Sequence, residues 1–165
     1  MFIPVLLAPF AAYAQEPVGS MDDAGVASVS VVLPQSEAEV RAALADPEVA
    51  ALLPPEVLAV RTLSSGRCVT LGVTVKGAWD PLQYTTQRCP TADGFRYKLL
   101  QSDSITAYSA EWSLAPHVGG GTEVTYRVST EVDLPVPRAL VRKNVLVSAR
   151  DTVLALVRQL TSRRH

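Results

Sequence analysis

The residues of this 165-residue chain with the most chemical potential are two cysteines, two histidines and a set of tyrosines. Cys68 and His117 could in principle pair as nucleophile and base, but nothing in their spacing brings them together. His117 lies beside a glycine run and His165 is the last residue. No His/Cys cluster has metal-ligand spacing. Gly119 to Gly121 joins two strand-like segments instead of opening a helix, so it has no phosphate-cradling geometry, and no nucleophile elbow occurs. The sequence therefore assigns no catalytic residue, no metal and no cofactor. Tyr84, Tyr97, Tyr108 and Tyr126, together with Trp112, are more informative. Each brings a large apolar body and one polar tip that needs a partner when buried.

The elements that must position these side chains can be read from periodicity. Val26 to Leu33 reads as a strand ended by Pro34. Ser36 stands before Glu37 and Glu39 as a helix N-cap with acids in the first turn. A short helix is expected over Glu37 to Ala45 and a second over Pro47 to Leu52, after which Pro54-Pro55 marks a sharp exit. Val57 to Leu63, Arg67 to Lys76, Leu82 to Cys89, Phe95 to Leu100, Ser104 to Leu114 and Thr122 to Asp133 follow as strands. Pro135 and Pro137 stop the sheet. Arg138 to Leu160 then carries apolar residues at three- and four-residue steps, including Leu140, Val141, Val145, Ala149, Val153, Leu156 and Leu160, as one long helix would. Its valines lower intrinsic helix propensity, so burial must hold it.

Hairpin register sharpens this picture. A turn centred between Ala78 and Trp79 pairs Val73 with Tyr84, Leu71 with Thr86 and Val69 with Arg88 on one face. On the other face it pairs Thr74 with Gln83, Thr70 with Gln87 and Cys68 with Cys89. Opposed cysteines on neighbouring antiparallel strands lie within disulfide reach, and the same register keeps a mostly apolar face together. The alternative for the cysteines is two inert buried thiols. Continued across the later hairpins, the inner face collects Phe95, Tyr97, Leu99, Thr106, Tyr108, Ala110, Trp112, Leu114 and the alternating series Val124, Tyr126, Val128, Thr130, Val132. Glu111 and Asp103 face away. A concave face of this kind under a helix is a natural cavity; an ordinary aromatic core with tips at its rim is the alternative. Arg88 is the one charge placed inside, to meet an anionic head group or to snorkel out from a strand end.

Composition and charge bound the partners. Hydrophobic residues make up 48% and charged residues 19% of the chain, as in a globular domain. A net charge of −1 argues against nucleic acid as an electrostatic partner. From Leu134 onward Arg138, Arg142, Lys143, Arg150, Arg158, Arg163 and Arg164 face a single acid, Asp151. This basic helix could touch anionic lipid peripherally, or be a solvated face that suits the helix dipole. Phe2 to Tyr13 is an apolar run ending in Ala12-Tyr13-Ala14, the pattern of a signal peptide cut after Ala14, although no Lys or Arg precedes it. A start at Met21 is the rival. Export implies residues 1–14 as signal peptide, 15–25 as a flexible leader, 26–162 as one domain, and a periplasmic or secreted, disulfide-permissive location.

The segment from Glu111 to Leu160 carries a resemblance: Glu-Trp-Ser-Leu-Ala-Pro, a glycine turn, Thr-Glu-Val-Thr-Tyr-Arg-Val, Asp-Leu-Pro-Val-Pro-Arg-Ala-Leu-Val-Arg-Lys, then the helix. With the element order across Val26 to Leu160, it resembles the START-like, polyketide cyclase/dehydrase superfamily, in its bacterial branch with coenzyme-Q-binding relatives. The resemblance implies an α+β helix-grip fold, in which a curved antiparallel sheet wraps a long C-terminal helix, with two short helices after the first strand. It also implies a cavity for lipids, isoprenoids, polyketides or other apolar molecules. The expected cavity residues are Tyr84, Arg88, Tyr97, Tyr108, Trp112, Tyr126 and Val128. Binding or carriage of an apolar small molecule by a monomer is the leading expectation. A cyclase- or dehydratase-like enzyme, or a partner-binding domain with a filled core, are the alternatives.

Overall fold

A computed structural model describes residues 15–163 of the chain; the expected signal peptide, residues 1–14, lies outside them. Eight strands form one antiparallel sheet: β1 (Val18–Met21), β2 (Ala27–Leu33), β3 (Val57–Ser64), β4 (Val69–Val75), β5 (Leu82–Pro90), β6 (Gly94–Ser102), β7 (Ile105–Pro116) and β8 (Thr122–Val132). Their order across the sheet is β1-β2-β8-β7-β6-β5-β4-β3, so β2 closes onto the last strand while β3 to β8 run as a meander. Two short helices, α1 (Glu37–Leu44) and α2 (Pro47–Ala51), leave β2, and the 25-residue α3 (Arg138–Ser162) follows β8.

Local chemistry explains the short helices. The Ser36 hydroxyl accepts from the Glu39 amide at 3.2 Å, and Asp46 accepts from the amides of Glu48 and Val49, so both first turns have side-chain caps. Gly121, at φ +79°, turns β7 into β8 so close to β2 that a Cβ there would meet the Leu33 carbonyl oxygen at 2.0 Å. α3 begins after Pro137 without a side-chain cap, the Pro137 carbonyl accepting from the Leu140 and Val141 amides.

The expected β4–β5 register is the observed one: Val73 pairs with Tyr84, Leu71 with Thr86 and Val69 with Arg88. Cys68 and Cys89 continue it and form a disulfide, their Cα atoms 4.3 Å apart, close to the narrow spacing of a non-hydrogen-bonded antiparallel pair. Two expectations need correction. Residues 15–25 are not simply a leader, because Val18–Met21 pairs with β2 from Val18 opposite Ser30 to Met21 opposite Ala27. Four residues with a glycine and a serine carry too little periodicity to announce a strand. Thr106 is exposed, and Ile105 is buried in its place. A bulge between Ile105 and Ala107 inserts one residue into the pairing with β8 and flips the parity beyond it.

The core lies between α3 and the concave face. Ala27, Val29, Val31 and Leu33 of β2 alternate inward, against Ala149, Val153, Leu156 and Leu160 of α3 and Val40 and Leu44 of α1. The buried residues of α3 all fall from Ala149 onward, and Leu140 and Val147 in its first half stay exposed. The helix is therefore gripped most tightly along its C-terminal half, while Val145 and Leu146 are only partly buried against the core and β1.

Candidate functional site

Where the first half of α3 stands off from the sheet, a cavity of about 450 Å³ opens. Its floor is the inner face of β4, β5, β7 and β8: Val75, Leu82, Tyr84, Ile105, Tyr108, Tyr126, Val128 and Val132. Its roof is Val141, Asn144, Val145 and Ser148 of α3, and its rim includes Pro54–Val57, Leu134 and Val136. The proline-bounded connections before β3 and before α3 thus frame the opening. Apolar walls with a few convergent polar groups are the usual make-up of a small-molecule pocket.

The polar groups gather at one place. Tyr84 and Tyr108 lie with ring centroids 5.3 Å apart. Glu56, half-buried on the rim, takes the Ser148 hydroxyl at 2.7 and 2.8 Å from its two carboxylate oxygens. Burial raises the pKa of Tyr84, Tyr108 and Tyr126, and the Glu56 charge pushes each the same way. All three phenols therefore stay neutral across the ordinary pH range, as hydrogen-bond donors and acceptors.

Of the seven expected cavity residues, the structure brings Tyr84, Tyr108, Tyr126 and Val128 together on the cavity wall. Trp112 is buried behind it, its ring 4.4 Å from that of Tyr126. Arg88 and Tyr97 are buried but do not line the cavity. Arg88 donates to the carbonyl oxygens of Leu44 and Ala45 at the end of α1, and its guanidinium sits 3.8 Å from the Phe95 ring centroid. A cation there satisfies carbonyls that the last helical turn leaves open and suits the negative end of the dipole. Burial lowers the Arg88 pKa, and nearby Tyr97 opposes that shift. Arg88 thus neither faces the cavity nor reaches solvent.

Sequence reasoning missed Glu56, Ser148, Asn144 and Val145 as wall residues. Only Val145 was legible as an inner helix position; Glu56 sits in a proline-marked connection whose path periodicity does not reveal. A second hollow, about 470 Å³, lies across the outer face of β3 to β6, where Gly72 leaves a gap among Arg61, Thr74, Gln83, Thr85 and Gln101. Ala59, Val60 and Leu63 also line it, but its wall is more polar than that of the cavity under α3. Among the described residues no group of three His, Cys, Asp or Glu side chains could hold a metal, and no helix is long and apolar enough to cross a membrane.

Solved structures share this architecture over most of the chain. A START superfamily protein from Mycobacterium smegmatis superposes with a TM-score of 0.72 at 22% identity, over 83% of this chain and 97% of its own. The chain has the START-like, helix-grip fold. The Zhui aromatase/cyclase from Streptomyces sp. R1128 gives a TM-score of 0.68 at 15% identity, over 85% of this chain and 95% of that one. A STAR-related lipid transfer protein from Xanthomonas axonopodis gives 0.63 at 17% identity, over 89% and 99%. No protein-family model and no curated protein matches the sequence. The fold is thus shared by an aromatase/cyclase and a lipid transfer protein, and fold alone does not choose between such roles.

Proposed function

We propose that this protein binds an apolar small molecule in the cavity under the first half of α3, as a carrier or sensor. The observation that carries the proposal is the division of α3. All its fully buried residues lie from Ala149 onward, whereas Val141 and Val145 face a hollow of about 450 Å³ lined by Tyr84, Tyr108, Tyr126 and Val128. An apolar hollow of that size in a folded domain loses packing contacts that a ligand would restore. The lipid transfer neighbour supports this direction.

The test is titration with the uncharged fluorescent probe N-phenylnaphthylamine. Wild type is expected to bind it saturably, one per chain, and Val145→Phe, which fills the roof, to lose that binding while keeping its circular dichroism spectrum. Equal binding by both proteins would put the probe elsewhere and refute the proposal.

A catalytic reading has one observation in its favour: a carboxylate, Glu56, and two neutral phenols converge on one cavity, next to a fold shared with an aromatase/cyclase. It predicts that Tyr108→Phe abolishes turnover of a polyketide-like substrate while binding persists.

The Cys68–Cys89 disulfide supports an oxidising, extracytoplasmic location. Of the basic residues of α3, Arg142 and Arg150 are directed to the carbonyl oxygens of Asp23 and Pro17. Arg138, Lys143 and Arg158 are exposed and would make any peripheral contact with anionic lipid, which co-sedimentation with phosphatidylglycerol vesicles would detect.

A further inference from the structure

We propose that the cavity selects apolar molecules whose polar end is uncharged and donates a hydrogen bond, such as an alcohol or phenol, and rejects amphiphiles ending in carboxylate or phosphate. This deepens the ligand-binding proposal above and rests on it.

The argument starts from the ionisable groups that line the cavity. They are Glu56, Asp151 and Lys76. Lys76 is exposed, just beyond the end of β4, whereas Glu56 and Asp151 are half-buried. Among the described residues, neither carboxylate has a cation within ion-pair distance; Arg41 pairs with Glu37 and Arg96 with Glu111. Arg88, the buried cation that an anionic head group would seek, is turned away to the carbonyl oxygens of Leu44 and Ala45. The charge that a ligand meets inside is therefore negative.

Glu56 also has acceptor capacity to spare. The Ser148 hydroxyl has a single proton to give, yet lies within hydrogen-bond distance of both carboxylate oxygens. A carboxylate has about four acceptor positions, so most of them stay open for a donor. Ser148 itself is held on α3, where its carbonyl oxygen accepts from the Thr152 hydroxyl at 2.7 Å, so the Glu56–Ser148 link spans the rim from the β3 connection to the helix roof. Next to it, Tyr84 and Tyr108 present hydroxyls that are neutral and can either give or take a proton bond. A ligand hydroxyl can donate to Glu56 and accept from a phenol. A ligand carboxylate can donate to neither, and it would bring a like charge next to Glu56, where the two repel.

The experiment compares dodecanol with dodecanoate, the same chain with two ends, by displacement of N-phenylnaphthylamine from wild type and Glu56→Gln. The substituted amide keeps an oxygen for Ser148 and removes the charge. Wild type is expected to prefer the alcohol by about tenfold or more at neutral pH. In Glu56→Gln the preference should shrink severalfold, through tighter binding of the carboxylate. Equal or better binding of dodecanoate by wild type would overturn the selectivity while leaving ligand binding intact. An unchanged preference in Glu56→Gln would overturn the role given to Glu56. Failure of both molecules to displace a bound probe would refute the selectivity too, and failure of the probe itself to bind would instead strike the ligand-binding proposal beneath it.

Discussion

The two halves of the grip share one sheet and one helix, yet they are built differently. In the closed half, Ala149, Val153, Leu156 and Leu160 of α3 mesh with Val29, Val31 and Leu33 of β2 and with α1, and Arg88 ties β5 to the end of α1. In the open half, Val141 and Val145 face Tyr84, Tyr108 and Val128 across a hollow, and Leu140 and Val147 are exposed. The difference lies in what surrounds the helix. α1 and the disulfide stand at the closed end, whereas two proline-bounded connections stand at the other. Packing is therefore densest away from the cavity, and the open half is free to carry a polar cluster that a tight core would not tolerate.

The largest effect that separates the halves should come from Leu156→Ala, which removes a fully buried side chain. It should lower unfolding free energy by about 2–5 kcal/mol in urea titration. Val145→Ala, in the open half, should lower it by less than about 1 kcal/mol. Similar losses at the two positions would break the comparison. Next in size, Cys68→Ser with Cys89→Ser releases a loop whose ends are 21 residues apart. That should destabilise the protein by about 3 kcal/mol in the loop-entropy account, with little change in probe affinity.

Arg88→Met comes third. It removes the donor to two helix-end carbonyls and should lower stability by roughly 1–3 kcal/mol, while probe binding stays as in wild type. A large loss of affinity without loss of stability would return Arg88 to the ligand.

Alkaline pH sharpens the comparison in another way. Tyr84, Tyr97, Tyr108 and Tyr126 have pKa values raised by burial in the folded state. The unfolded chain ionises them near pH 10 and so binds fewer protons than the folded one above that pH. Their contribution to stability is thus complete below about pH 10 and declines as pH rises further. Phenolate absorbance should appear together with loss of the near-ultraviolet circular dichroism signal. Phenolate formation well before unfolding would mean the tyrosines are more hydrated than their positions indicate. The smallest effect expected is from Tyr108→Phe, which should weaken binding of a hydroxyl-ended ligand only severalfold.

How much of this was legible beforehand follows from where periodicity speaks. The β4–β5 register, and with it the Cys68–Cys89 bond, came from a turn position and the requirement that one face stay apolar; both are local and strong. The long helix was visible in the spacing from Leu140 to Leu160. The inner face was correct until the bulge at Ile105, because a single inserted residue changes parity without changing composition. β1 was hidden because its pairing is held by β2 and by α3 against Gly19, not by its own pattern. At the site, the tyrosines declared themselves by alternation on strands. Glu56 and Ser148 did not, because their meeting depends on the path of a loop and on which face of α3 meets it. Arg88 was placed on the correct face, but its partners belong to α1, distant in sequence.

The central claim is that the open half of the grip exists to hold an apolar molecule. Native mass spectrometry of detergent-free protein, followed by organic extraction, tests it most directly. The account predicts a reproducible bound species of small mass that extraction recovers as an apolar, uncharged compound, and that Val145→Phe no longer retains. A protein that flies empty, and that also leaves N-phenylnaphthylamine dark in solution, would contradict it and leave a domain whose hollow serves no ligand.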